Sequence, residues 1–183
     1  MKHLSTFDKY KIFERFIIES NSIKIYHGTQ NEESCTSILS NGYDVEKRFS
    51  GRAEGPGMGA FFSPEETLYG EWVIEFEIPL DLFKRYVIIF FEKNRYSKSV
   101  EEPRNLALQI LGREESLEEQ ISRIAGDEYL NLAPKFRNVP HTGWANEDIG
   151  KIKGWVSNTR FDDRLVIHLR DPSIAKPLRY FKK

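Results

Sequence analysis

With 183 residues, 39% of them hydrophobic, the chain has the size of one domain and enough apolar mass to bury a core. A net charge of −1 excludes any global electrostatic commitment to nucleic acid or to an anionic membrane. The lone cysteine, Cys35, excludes an internal disulfide, and with four histidines it is too sparse for a zinc site of common spacing, so no metal is expected.

The opening segment MKHLSTFDKYKIFERF lacks the apolar run of a signal peptide, and no stretch approaches the roughly 20 apolar residues that span a bilayer. A soluble, cytoplasmic protein with no membrane role is the expectation. Within that segment Ser5 or Thr6 caps a predicted helix that gathers Phe7, Tyr10, Phe13, Phe16 and Ile17 on one face. Ile23 to Tyr26 alternates and predicts a short strand ending at His27-Gly28-Thr29. Residues 32 to 40 fit a short helix stopped by Asn41-Gly42. The stretch from Tyr43 to Met58, with Gly51, Gly55, Pro56 and Gly57 among Lys47, Arg48 and Arg52, reads as a loop. Ala60 to Ser63 predicts a second short strand, Pro64 to Tyr69 a helical turn, Trp72 to Pro79 an alternating strand, and Tyr86 to Phe91 a further one. Two acidic helices follow, Ser97 to Leu111 and Ser116 to Leu132, and they read as a helical pair inserted over 97–132. Ala133 to Thr159, rich in Pro, Gly and Asn around Trp144 and Trp155, reads as a long functional loop. Arg164 to Leu169 predicts the final strand, ended by Asp171-Pro172. The sum is a single α+β domain over 1–183, with two packed antiparallel or mixed sheets forming a cleft.

Three groups along this order suit one chemistry. His27 at a strand end can donate to a ribose hydroxyl, Gly28 lets a ligand approach a backbone whose amide and carbonyl match a carboxamide, and Thr29 adds a hydroxyl. The glycines of GPGMGAFFS turn the chain into Phe61, and Tyr69 follows one helical turn later, giving two rings that can sandwich a third. Arg52, with Arg48, is placed to hold a diphosphate, although an exposed charged loop is the plainer account of both. NAD carries each of these features. A histidine alone at a strand end is more often structural than catalytic, and the glycine loop has the spacing of neither a P-loop nor a Rossmann fingerprint. The order of the pieces carries the weight.

That order, IKIYHGT, ILSNGYD, GPGMGAFFSPEETLYG and WVIEFEIP, resembles the ADP-ribosyltransferase fold in its histidine-tyrosine-glutamate branch. This branch includes the poly(ADP-ribose) polymerases and the diphtheria-type toxins. His27-Gly28-Thr29 stands at the first motif; Gly59-Ala60-Phe61-Phe62 followed by Tyr69 stands at the second, with Phe61 replacing a tyrosine. The likeness covers residues 23 to 79. The third motif places a glutamate at the start of a late strand, and in FDDRLVIHLRDPSIAKPLRY that position falls to Asp163, with Asp162 and Glu147 as rivals.

The resemblance implies a split β-sheet core, NAD as co-substrate and no metal. It gives catalytic roles to His27, Phe61 and Asp163, and NAD contacts to His27, Gly28, Thr29, Arg52, Phe61 and Tyr69. The reaction implied is transfer of ADP-ribose to a macromolecular acceptor, protein or nucleic acid, as in bacterial or phage-related toxins and defence effectors. An antitoxin or inhibitor protein would be the natural counterpart of such an effector. The same fold leaves open an NAD glycohydrolase, an RNA 2′-phosphotransferase-like enzyme, or an inactive module that binds NAD or ADP-ribose. Residues 151 to 183 hold nine basic groups against three acids. Together with Trp144, Trp155 and Phe161 they suggest a cradle for a nucleic-acid strand.

Overall fold

The alternation that predicts the first strand runs further than expected. In the computed structural model, which describes residues 21–44, 59–64, 70–89, 101–137, 149–158 and 165–183, β1 (Ser22–Thr29) pairs residue for residue with β3 (Trp72–Pro79), up to Thr29 opposite Trp72. His27 therefore lies within the strand and not at its end. Period-two geometry puts Ile23, Ile25, His27 and Thr29 on one face, with Ile74, Phe76 and Ile78 beside them.

Between these strands come α1 (Glu32–Asn41) and β2 (Ala60–Phe62). Asn31 caps α1 by accepting the Ser34 N–H at 2.8 Å, and Gly42, at φ 80°, ends the helix as its sequence predicts. After β3 the chain forms α2 (Leu80–Tyr86), which confines the expected Tyr86–Phe91 strand to β4 (Val87–Ile89) among the described residues. Pro79 starts this helix and Phe83 buries against the core, so a segment without strand alternation folds by its own amphipathicity. The acidic region holds three helices where two were expected: α3 (Glu101–Leu111), α4 (Leu117–Ala125) and α5 (Tyr129–Arg137). Gly126, at φ 58°, breaks the second into α4 and α5 across a 3-10 turn. The expected loop from Ala133 to Thr159 contains the end of α5 and a strand, β5 (Gly154–Asn158). After β6 (Leu165–Leu169) the chain forms one more strand, β7 (Lys176–Lys182), where Leu169 had been expected to close the last.

The strands form a three-stranded antiparallel sheet, β1-β3-β7, and a mixed four-stranded sheet, β2-β6-β5-β4, in which β4 and β5 run parallel. A two-bond main-chain bridge joins them: Tyr26 N–H donates to the Ser63 carbonyl and Ser63 N–H to the Tyr26 carbonyl, each at 2.8 Å. One core fills the space between the sheets with Ile25, Ile74, Phe76, Phe62, Val156 and Ile167, joined by Ile110 of α3. A second lies on the other face of the four-stranded sheet, where Leu117, Ile121 and Ile124 of α4 and Leu132 of α5 pack on Ile88 and Trp155. No helix among the described residues is long and apolar enough to cross a membrane. The expected N-terminal helix, and the loop beyond Asp44, fall outside the described residues.

Candidate functional site

Continuing the Tyr26–Ser63 pairing one residue along each strand sets His27 beside Phe62, and one more sets Gly28 beside Phe61. Opposed residues share a face and neighbours alternate, so the His-Gly-Thr motif and the Phe-Phe pair divide between two sides of the junction.

On the inner side the His27 imidazole, 7% exposed, meets Tyr43 edge-on at 5.1 Å and Phe62 at 5.6 Å between centroids. Its Nδ1 lies 2.8 Å from the Phe61 carbonyl oxygen. A carbonyl only accepts, so Nδ1 carries the proton. Burial lowers the His27 pKa, and the bond to Phe61 offsets this only in part, so the ring stays neutral at pH 7. A neutral imidazole protonated on Nδ1 presents Nε2 as an acceptor. This buried acceptor is the reverse of the donor expected from sequence.

Thr29 shares this inner face and is 5% exposed. Its hydroxyl donates to the Asn31 carbonyl at 2.9 Å and lies 3.2 Å from the Cys35 thiol, so it holds the turn into α1. Burial, foremost, pushes the thiol pKa up, which leaves Cys35 protonated and able to donate to Thr29.

On the outer side Gly28 and Phe61 are both partly open to solvent. The Phe61 ring packs on His168 at 4.2 Å, and His168 on Trp155 at 4.1 Å, a row running across β2, β6 and β5. Two glycines make the junction possible. Gly59 (φ 84°) enters β2 so close to β6 that any side chain would collide with the Leu169 carbonyl, and Gly70 (φ 77°) presses in the same way on the Thr29 backbone. Gly28 and the Phe61 ring thus share a partly accessible side of the junction.

Of the residues proposed from sequence, the structure gathers His27, Gly28, Thr29 and Phe61 at one junction. Arg52, Tyr69, Asp163, Asp162 and Glu147 lie outside the described residues, although the strand that follows Asp163, β6, pairs directly with β2. Phe62, Tyr43 and His168 were given no part by sequence reasoning. Their signal was the parity of the Phe-Phe pair, which decides which ring meets His27.

Trp155 corrects one expectation: it is 0% exposed in the second core and cannot stack on a nucleic acid. Trp144 and Phe161 lie outside the described residues. Part of the basic excess of 151–183 is engaged, since Lys153 pairs with Asp171 at 2.6 Å and Arg179 with Glu75 at 2.7 Å. Burial works to raise the Asp171 carboxyl, but bonds from Lys153 and Ser173 hold it below the usual range. Among the described residues no cluster of three or more His, Cys, Asp or Glu is arranged to hold a metal ion. The open depression on α1 is lined by Glu32, Glu33, Thr36, Ser37, Ser40 and Asn41 and does not include His27. No family model matches the chain, and neither does any curated protein or solved structure, so the chemistry of the junction rests on its own geometry.

Proposed function

We propose that the chain is an ADP-ribosyltransferase-like enzyme that binds NAD at the β1–β2 junction and transfers its ADP-ribose to a macromolecular acceptor. The observation that carries the reading is the His27–Phe61 bond: the second motif's main chain fixes the tautomer and the plane of the first motif's imidazole. Strand order adds support, because β1, β2 and β6 are neighbours and bring the His27 strand, the Phe61 strand and the strand after Asp163 together in sequence.

In this reading nicotinamide lies against the Gly28 backbone and the Phe61 ring, with Tyr69 as the second ring. His27, on the inner side, holds the Phe61 main chain that carries the ring. The bond from ribose C1′ to the nicotinamide nitrogen breaks with its electron pair going to nicotinamide, which leaves neutral. Asp163 stabilises the cationic ribose, and an acceptor oxygen or nitrogen bonds to C1′ and loses its proton to base or solvent.

Incubation with NAD labelled in its adenylate half tests the reading. Label on a macromolecule supports transfer, free labelled ADP-ribose would make the chain a glycohydrolase, and binding without turnover would make it a binding module. His27→Asn, which keeps a donor near the Nδ1 position, should keep most of the transfer, and His27→Leu, which loses the bond to the Phe61 carbonyl, should lower it by about tenfold, the scale of one hydrogen bond. Full activity in His27→Leu would remove His27 from the site.

A further inference from the structure

One end of the four-stranded sheet gathers cations that the NAD site does not use. Tyr86 precedes β4, Lys153 precedes β5 and Arg170 follows β6; Lys153 N–H donates to the Tyr86 carbonyl and Arg170 N–H to the Lys153 carbonyl, both at 2.8 Å. Lys153 Nζ stands 5.0 Å from the Tyr86 ring centroid and Arg85 Cζ stands 5.7 Å from it. Arg85 and Lys151 are exposed, and Tyr86, Lys153 and Arg170 are partly so. Lys153 is paired with Asp171 at 2.6 Å. Four cationic side chains and a tyrosine ring thus share one rim among the described residues.

Its layout decides what it fits. The cations do not converge on one point, as they would around a lone phosphate. They follow the ends of three adjacent strands, at steps of about 4.8 Å, with an aromatic ring among them. Phosphate contacts position a nucleic-acid strand without reading its sequence, and aromatic faces beside a cationic track suit unpaired strands. The rim also borders the proposed site, because Arg170 follows Leu169, which pairs with Ala60, and Gly59 packs directly on the Arg170 backbone. A strand held there passes next to the Gly28–Phe61 patch.

We propose that the rim of Arg85, Tyr86, Lys151, Lys153 and Arg170 binds the backbone of a single-stranded nucleic acid and presents it as the acceptor. Its acceptor role rests on the ADP-ribosyl-transfer reading; its binding does not. The test is fluorescence anisotropy of labelled single-stranded RNA and DNA oligonucleotides with the full chain, in the absence of NAD. Binding should weaken between about 50 and 200 mM salt, each neutralised phosphate adding about −0.7 to the log–log slope. The Arg85→Glu, Lys151→Glu double variant should bind at least about tenfold more weakly, with a slope shallower by about 1.4.

A matched control, Lys176→Glu with Lys182→Glu on β7, should keep wild-type binding. The proposal is overturned by a wild type that does not bind in low salt, by a rim variant that binds as well as wild type, or by a control that loses as much. Oligonucleotides bound with the expected salt slope but never labelled from NAD would sustain the rim's binding and overturn its acceptor role. Label passing to protein, with no oligonucleotide binding, would overturn the rim and leave the transfer reading standing.

Discussion

The two sheets are both finished by a buried polar side chain, but of different kinds. Glu75, 2% exposed on the face of the three-stranded sheet turned away from the core, takes Lys24 of β1 and Arg179 of β7 at 2.7 Å each. One carboxylate thus ties together strands from the two ends of the described chain. The four-stranded sheet is closed by a neutral amide. Gln120, 0% exposed on α4, accepts the Ile89 N–H at 2.7 Å and donates to the Ile89 carbonyl at 2.8 Å, completing the edge strand β4 as a further strand would. The first device joins distant segments by charge and responds to pH. The second joins neighbouring segments by hydrogen bonds alone and does not.

Removing Glu75 should have the largest effect. Breaking a buried ion pair costs about 3 to 5 kcal/mol when the charge left behind stays buried; here Lys24 and Arg179 reach water, so Glu75→Ala should cost about 3 kcal/mol, the lower end of that range. Denaturant unfolding measures it, and a loss below the uncertainty of the extrapolation would mean the cluster is ornamental. Burial alone would raise the Glu75 carboxyl, but hydrogen bonds and attraction from Lys24 and Arg179 outweigh it and hold the group below its ordinary value. Its folded pKa therefore lies under the unfolded one. The stability it contributes is complete above about pH 4.5, the usual glutamate range, and is lost as pH falls through the lowered folded value. Wild type and Glu75→Ala should converge in stability as acid is added.

Gln120→Leu is next. It keeps the bulk of the side chain and leaves the Ile89 N–H and carbonyl without their partner, at about 1 to 3 kcal/mol for each group that water does not reach. A loss of about 2 kcal/mol is expected. Unlike the Glu75 loss, it should be the same at pH 4 and pH 7. A Gln120 loss that shrinks in acid would mean that a titrating group, and not the amide, holds the edge.

How much of this could be read from the chain depends on the kind of signal. β3 and α1 were legible because their limits are local: alternation in WVIEFEIP, and Gly42 taking a conformation other residues resist. α2 was not, because seven residues between two strands carry too little periodicity to be separated from their neighbours. β7 was missed because its side chains are mostly exposed on an edge, so burial writes no alternation into them. The site shows the same limit. His27, Gly28 and Phe61 were singled out by order along the chain, but parity within a two-residue pair has no reference until the partner strand is placed. Only the Tyr26–Ser63 bridge decides that Phe62 meets the imidazole and Phe61 faces out. Thr29 was read as a ligand contact because its hydroxyl is there; that the hydroxyl is spent on Asn31 and Cys35 is a fact of packing.

The smallest effect should come from Asn31, which joins the motif to α1 twice over. Its side chain accepts the Ser34 N–H and its carbonyl accepts the Thr29 hydroxyl. Asn31→Ala removes only the first of these, an exposed helix cap, at about 1 kcal/mol, or about 2 to 4 °C in melting temperature for a chain of this size. The Thr29 bond goes to main chain and survives the change. Transfer activity below the new melting point should therefore match wild type. If activity falls while stability drops by no more than this, the helix cap reaches the junction through the turn that Thr29 holds, and α1 belongs to the site's support and not merely to the core.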